Sequence, residues 1–273
     1  MDVILAMIPR ALLPLLFGMS LFGCSTGPDK KAIAQDTSTV ARLRSSIAAF
    51  PDSAALRIRL LDAYESGRDI PSAMQLLDSL FAQDSTVAYL HYRKARLWLS
   101  DHDTTRAISS LKRAMAYAPD NTDILLELGY VLSDRGDAEA RTIAETIINV
   151  SKDPDTRSRG RLLKGIYYSN KGDKASALKE YDASIVDNYT FMDAFIEKAI
   201  VLYEMKKYDD ALSTLDKAQA IRPADAEVYL WKGKCQQASG YRAEAMDDYR
   251  KCLGLDPGMK EASELLAILE ASK

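Results

Sequence analysis

Cysteine, histidine, glycine and proline are all scarce in this sequence, which has 3, 2, 13 and 9 of them in 273 residues. Each shortage excludes something. His91 and His102 stand eleven residues apart and in no zinc-binding spacing. With no metal-ligand pattern, no Gly-rich phosphate cradle, and no G-x-S-x-G, P-loop or H-E-x-x-H motif after the N-terminal segment, neither a catalytic centre nor a cofactor is expected. The charge balance, 36 Lys and Arg against 39 Asp and Glu, contains no basic excess that would point to nucleic acid and no acidic tail. Alternating Val/Ile runs are missing too. Leucine and alanine dominate instead, a helical composition.

What is there is a period. Residues 192–225 and 226–259 superpose as two lines of 34, with small residues at Ala199/Gly233, Ala211/Ala245 and Ala218/Cys252. Aromatics recur at Phe195/Tyr229, and Pro223 and Pro257 close the lines. Worn copies precede them at 54–87, 88–121, 122–157 and 158–191. The third has 36 residues, with Arg141 where alanine is expected and the surplus assigned to Lys152–Thr156, either a tolerated loop or a hinge. Residues 37–53 form a lone leading helix, and 260–273 a charged closing helix that would shield the end of a stack.

These units resemble tetratricopeptide repeats. Position 8 is Ala95, Gly129, Gly165, Ala199 or Gly233; position 20 is Ala73, Ala107, Ala177, Ala211 or Ala245; position 11 is Tyr64, Trp98, Leu132, Tyr168 or Leu202, with Gln236 breaking the pattern. The small residues let paired helices approach, and the large ones fill the gaps beside them. The resemblance implies an all-α fold, a right-handed α-solenoid of helix-turn-helix hairpins, and a function of protein binding rather than catalysis. His91 takes position 4, a packing site.

The N-terminus reads as a targeting segment. Residues 1–23 end in a short apolar run, too short for a comfortable span. Leu21-Phe22-Gly23-Cys24 resembles a bacterial lipobox. That resemblance implies lipid transfer to Cys24, cleavage after Gly23, and anchoring in the cell envelope; Ser25 favours the outer membrane, facing the periplasm. Residues 24–36 are polar, without helical period, and read as a tether.

The repeat family lines its concave face with positions 2, 5, 9 and 12 of each first helix. Carried onto this chain, the candidate peptide-binding residues are Tyr89, Tyr92, Arg96, Leu126, Tyr130, Leu162, Ile166, Ile196, Ile200 and Tyr203. The strip is apolar in the middle and charged towards the ends. Two readings stay open: a groove for a peptide, or side chains buried by tight winding or self-contact. Cys235 and Cys252 lie at alanine-like positions of one repeat, where they either pair in an oxidising compartment or remain two buried thiols. The whole reads as a membrane-anchored adaptor for a protein or peptide partner of the envelope, with no nucleic acid involved. The alternative is a structural lipoprotein that forms homo-oligomers.

Overall fold

The computed structural model describes residues 30–271, and Cys24 with the signal segment lies outside the described residues. Among the described residues there are fourteen helices and no strand. They group into two compact units divided after Pro119. The N-terminal unit holds α1 (Lys30–Ala49), α2 (Ala54–Ser66), α3 (Ile70–Phe81), α4 (Ala88–Ser100) and α5 (Thr104–Tyr117). The C-terminal unit holds α6 (Thr122–Asp134), α7 (Ala138–Val150), α8 (Pro154–Asn170), α9 (Lys174–Asp187), α10 (Met192–Glu204), α11 (Tyr208–Ile221), α12 (Ala226–Ala238), α13 (Arg242–Leu255) and α14 (Lys260–Ala271). Helix α1 begins at Lys30, inside the stretch read as a tether: the polar segment is helical over its second half.

Every hairpin turns by the same device. The fifteenth residue of each repeat is left-handed: Arg68, His102, Gly136, Gly172, Lys206 and Gly240 have φ of 55°, 59°, 62°, 80°, 60° and 85°. The next amide reaches back five residues, as in Asp69 N to Tyr64 O at 2.8 Å and Asp173 N to Tyr168 O at 3.0 Å, closing the first helix. Where that residue is aspartate it also starts the second helix: Asp69, Asp103 and Asp173 accept from the backbone amides of Ser72, Arg106 and Ser176. In the first repeat the left-handed residue is Arg68, while the neighbouring Gly67 has an ordinary φ of -79°.

The alanines at position 20 are all buried, and large side chains close over them. In the N-terminal unit Ala73 lies with Leu43, Leu61, Tyr64 and Leu77. In the C-terminal unit the core runs through Ala177 with Tyr181, Ala211 with Leu215, and Ala245 with Tyr249. The last helix closes that unit with Ala262 and Leu269, and its Glu261 and Glu270 pair with Lys234 at 2.7 Å and Arg250 at 2.9 Å.

The irregular third repeat resolves into two local changes. Asp137 accepts from the amide of Glu139, two residues on, and Ala140 N bonds Asp137 O at 3.1 Å, so α7 starts with a tightened turn. Its register moves by one: Ala140, Ala144 and Ile147 are buried and Arg141 is exposed. The surplus residues do not form a loop of five. Asp153 caps Thr156, Pro154 takes the first turn, and α8 has 17 residues where α6 has 13. The extra turn is fixed to the end of α9 by Arg157 to Asp187 at 2.8 Å, Asn188 to Asp155 at 2.7 Å, and a buried Ser158–Ser184 hydroxyl pair at 2.9 Å.

Candidate peptide-binding face

The first helices of the C-terminal unit, α6, α8, α10 and α12, pack in series. Their apolar residues at positions 5 and 9 were candidates for a surface strip, and most are core instead. Leu162 is 0% exposed, Ile166 6%, Ile196 6% and Ile200 9%. Leu162 and Ile166 pack with Ala177 and Tyr181, and Ile196 and Ile200 with Leu215 and Val228. Neighbouring first helices approach closely enough to close over these side chains, which corrects the groove reading for all four. Leu126 and Tyr130 are half-buried, Tyr130 against the Leu162–Ile166 cluster. Tyr203 is half-buried beside Trp231, with ring centroids 5.8 Å apart.

A different set of side chains defines this face. Arg159 on α8, Asp193 and Glu197 on α10, and Glu227 on α12 act electrostatically on Tyr130, and all five are half-buried. Burial is the first cause that raises the Tyr130 hydroxyl above its ordinary range, with Asp193 and Glu197 adding to it. Burial also raises the Asp193 carboxyl, against the opposing pull of Arg159 and Arg222. Burial and the neighbouring charges of Asp225, Glu197 and Asp193 push Glu227 up to about 7. Asp193, Glu197 and Glu227 thus share a sheltered face with Arg159, and the neighbouring acids disfavour the ionisation of Glu227. Arg159, Asp193 and Glu227 all occupy position 2 of successive repeats, so the sequence register held the signal. Attention to positions 5 and 9 missed it.

In the N-terminal unit Tyr89 is exposed, Tyr92 half-buried and Arg96 exposed. The charge that matters there is Arg93, which the sequence reading passed over. It is buried, and it pairs with Asp62 at 2.7 Å and Glu65 at 2.8 Å across α2 and α4. The Tyr89 hydroxyl accepts from the same guanidinium. Burial opposes its charge, but the hydrogen bonds it donates to Glu65 and Asp62 outweigh burial and raise the arginine further. His91 is buried between Phe81 and Tyr117, at 4.6 and 5.5 Å, and its Nε2 lies 2.8 Å from Ser85 O. Packing is therefore its role.

Cys235 and Cys252 are free and both buried. Cys235 packs in the Val228–Leu215 cluster and Cys252 in the Tyr249–Ala262 cluster, so the two thiols lie in separate cores and are unpaired in this structure. Burial pushes them up to about 12 and about 11, which keeps both protonated and unreactive. Among the described residues no group of three or more His, Cys, Asp or Glu is arranged to hold a metal ion, and no helix is long and apolar enough to cross a membrane.

Comparison with known proteins gives a consistent result. Residues 226–259 match one tetratricopeptide repeat model and residues 162–226 another. DnaJ homolog subfamily C member 3 of Gallus gallus is 25% identical over 202 residues, 72% of this chain and 35% of that protein. The BBSome complex member BBS4 of Bos taurus is 24% identical over 194 residues, 71% of this chain and 37% of that protein. The chain therefore spans about a third of the length of these relatives. A solved tetratricopeptide repeat protein from Parabacteroides merdae aligns with a TM-score of 0.72 at 17% identity, covering 89% of this chain and 95% of that one. The structure of PilW, a type IV pilus biogenesis factor, aligns with a TM-score of 0.64 at 20% identity, covering 78% and 97%.

Proposed function

We propose that this chain, whose residues 162–259 match tetratricopeptide repeat models and whose fold is that of such repeats, is a lipid-anchored adaptor of the bacterial envelope that captures a protein segment on the first-helix face of its C-terminal unit. The supporting observation is the sheltered group of Asp193, Glu197 and Glu227 beside Tyr130 and Arg159. Holding carboxylates together in partial burial costs stability. The neighbouring core of Ile196, Ile200 and Val228 needs none of them to pack. A lysine or arginine of a bound segment, with its apolar stem along Tyr130, would add a cation to this acidic face. Anchoring rests on the lipobox-like Leu21–Cys24, with outer-membrane attachment facing the periplasm. The likeness to PilW is one of fold, and it makes envelope assembly the first process to test.

The test is a cross-linked pull-down from intact envelopes with wild type, an Asp193→Asn/Glu227→Gln variant and a Cys24→Ser variant. One envelope partner should be enriched by wild type and lost from the first variant, whose helicity is unchanged. The Cys24→Ser chain should leave the membrane fraction. Recovery of the same partner by the Asn/Gln variant would remove the binding reading. A Cys24→Ser chain that stays in the membrane fraction would remove the anchor.

A further inference from the structure

In the N-terminal unit, helices α3, α4 and α5 leave an open cleft of about 380 Å³ that the proposed function does not use. Its lining is aromatic and basic. Phe81 and Trp98 supply ring faces, with Lys94 Nζ 5.3 Å from the first centroid and the Arg106 guanidinium 4.7 Å over the second. Lys94, Arg106 and Arg113 are the cations, and Asp78 is the one acid in the lining. Asp78 is engaged by Lys94 at 2.9 Å. Arg106 forms an ion pair with Asp103, the cap of its own helix, at 3.3 Å and largely in solvent, a pair of little strength. Arg113 is exposed and makes no ion pair among the described residues.

The basic character is regional. Residues 30–119 carry 13 Lys and Arg against 9 Asp and Glu, a surplus of four, whereas residues 120–273 carry 22 against 28. The near-neutral whole chain hides a positive first unit, whose field favours an anion at this cleft.

Geometry narrows the anion. Arg106 and Arg113 are seven residues apart on α5, on one face and about 10 Å apart along the axis at the helical rise. Two carboxylates at that spacing would each meet one arginine. An extended chain covers about 10 Å in three residues. We propose that the cleft docks an extended acidic segment of a partner protein, with carboxylates three residues apart pairing with Arg106 and Arg113 and its aliphatic stems against Phe81 and Trp98.

The probe is a fluorescein-labelled peptide of repeating Glu-Gly-Ser, titrated with the full chain and read by polarisation. It should bind, weaken as salt rises, and lose affinity by about tenfold with Arg106→Glu/Arg113→Glu. Both arginines are exposed, so the fold should survive, which circular dichroism checks. The Asp193→Asn/Glu227→Gln variant should bind the probe as wild type does, which separates this site from the first-helix face. Unchanged affinity in the Arg106→Glu/Arg113→Glu variant would overturn the proposal, as would equal binding of a Lys-Gly-Ser peptide. Displacement by an equal concentration of inorganic phosphate would assign the cleft to small anions instead. Low-salt oligomers that exclude the peptide would give it to the acidic surface of a second copy.

Discussion

Gly165 and Gly233 carry the same constraint in two repeats. A Cβ added at Gly165 would fall 2.4 Å from Tyr181 Cε1, and one at Gly233 2.5 Å from Tyr249 Cε1, with both rings fully buried. Where position 8 is alanine, as at Ala199, position 24 is the smaller Leu215, buried in the same cluster. The glycine and the tyrosine are therefore one packing choice. Gly165→Ala should cost about 1–3 kcal/mol from overpacking, despite the better helix propensity of alanine. Adding Tyr181→Leu should restore part of that loss, although Tyr181→Leu alone destabilises. Urea denaturation of the four chains checks the coupling, and strict additivity would show that the two residues do not act together. Gly172 is a contrast: nothing lies within 4 Å of an added Cβ, and only its φ of 80° resists. Gly172→Ala should then cost about 1 kcal/mol, from the left-handed backbone alone. The small residues were legible in the sequence because they recur in register. The left-handed Arg68, His102 and Lys206 were not, since nothing in those residue types demands a positive φ.

The third repeat shows how an element departs from its family pattern without breaking the stack. The 34-residue register puts Arg141 at the interface, and a direct reading would mark it as the defect. The tightened start of α7 turns Arg141 into solvent and brings Ala140 in at 0% exposure. Arg141→Ala should accordingly change stability by no more than about 0.5 kcal/mol. Ala140→Arg should cost about 3 kcal/mol or more, because a charge and a long side chain would enter a filled contact. Equal effects of the two substitutions in thermal or urea unfolding would mean that the register has not shifted. Periodicity located these helices, and the surplus residues showed where it failed. How the chain absorbs them depends on a capping bond two residues long and on Pro154 starting α8 early. Those choices are settled by packing. For the same reason the apolar residues at positions 5 and 9 read as surface in a single repeat and became core once α8, α10 and α12 stacked.

At the scale of the molecule, two units with opposite net charge should also differ in their response to pH. Trp98 lies in the first and Trp231 in the second, and they are the two tryptophans of the chain. Trp231→Phe and Trp98→Phe variants therefore leave one fluorescent reporter in each unit. Burial, with neighbouring acids, pushes Glu227 up to about 7 from 4.5. The folded state thus holds a proton that the unfolded chain releases. The sign follows: this contribution is fully present below about pH 4.5 and is lost as pH rises to about 7. Asp193, raised mainly by burial, acts in the same direction. Asp187 is opposite: burial works to raise its carboxyl, but hydrogen bonds from Arg157 and Arg161 prevail and lower it, so its contribution is lost only on acidification below 3.8. Between these limits the Trp231 unit should weaken by about 1–2 kcal/mol as pH rises, after discounting for partial exposure. The Trp98 unit contains neither Glu227 nor Asp193, and its urea midpoint should stay level. Glu227→Gln should flatten most of the Trp231 decline and leave the Trp98 midpoint alone. If both reporters move together with pH, and Glu227→Gln changes neither, the carboxylates of the first-helix face do not carry the burial penalty on which the binding proposal depends.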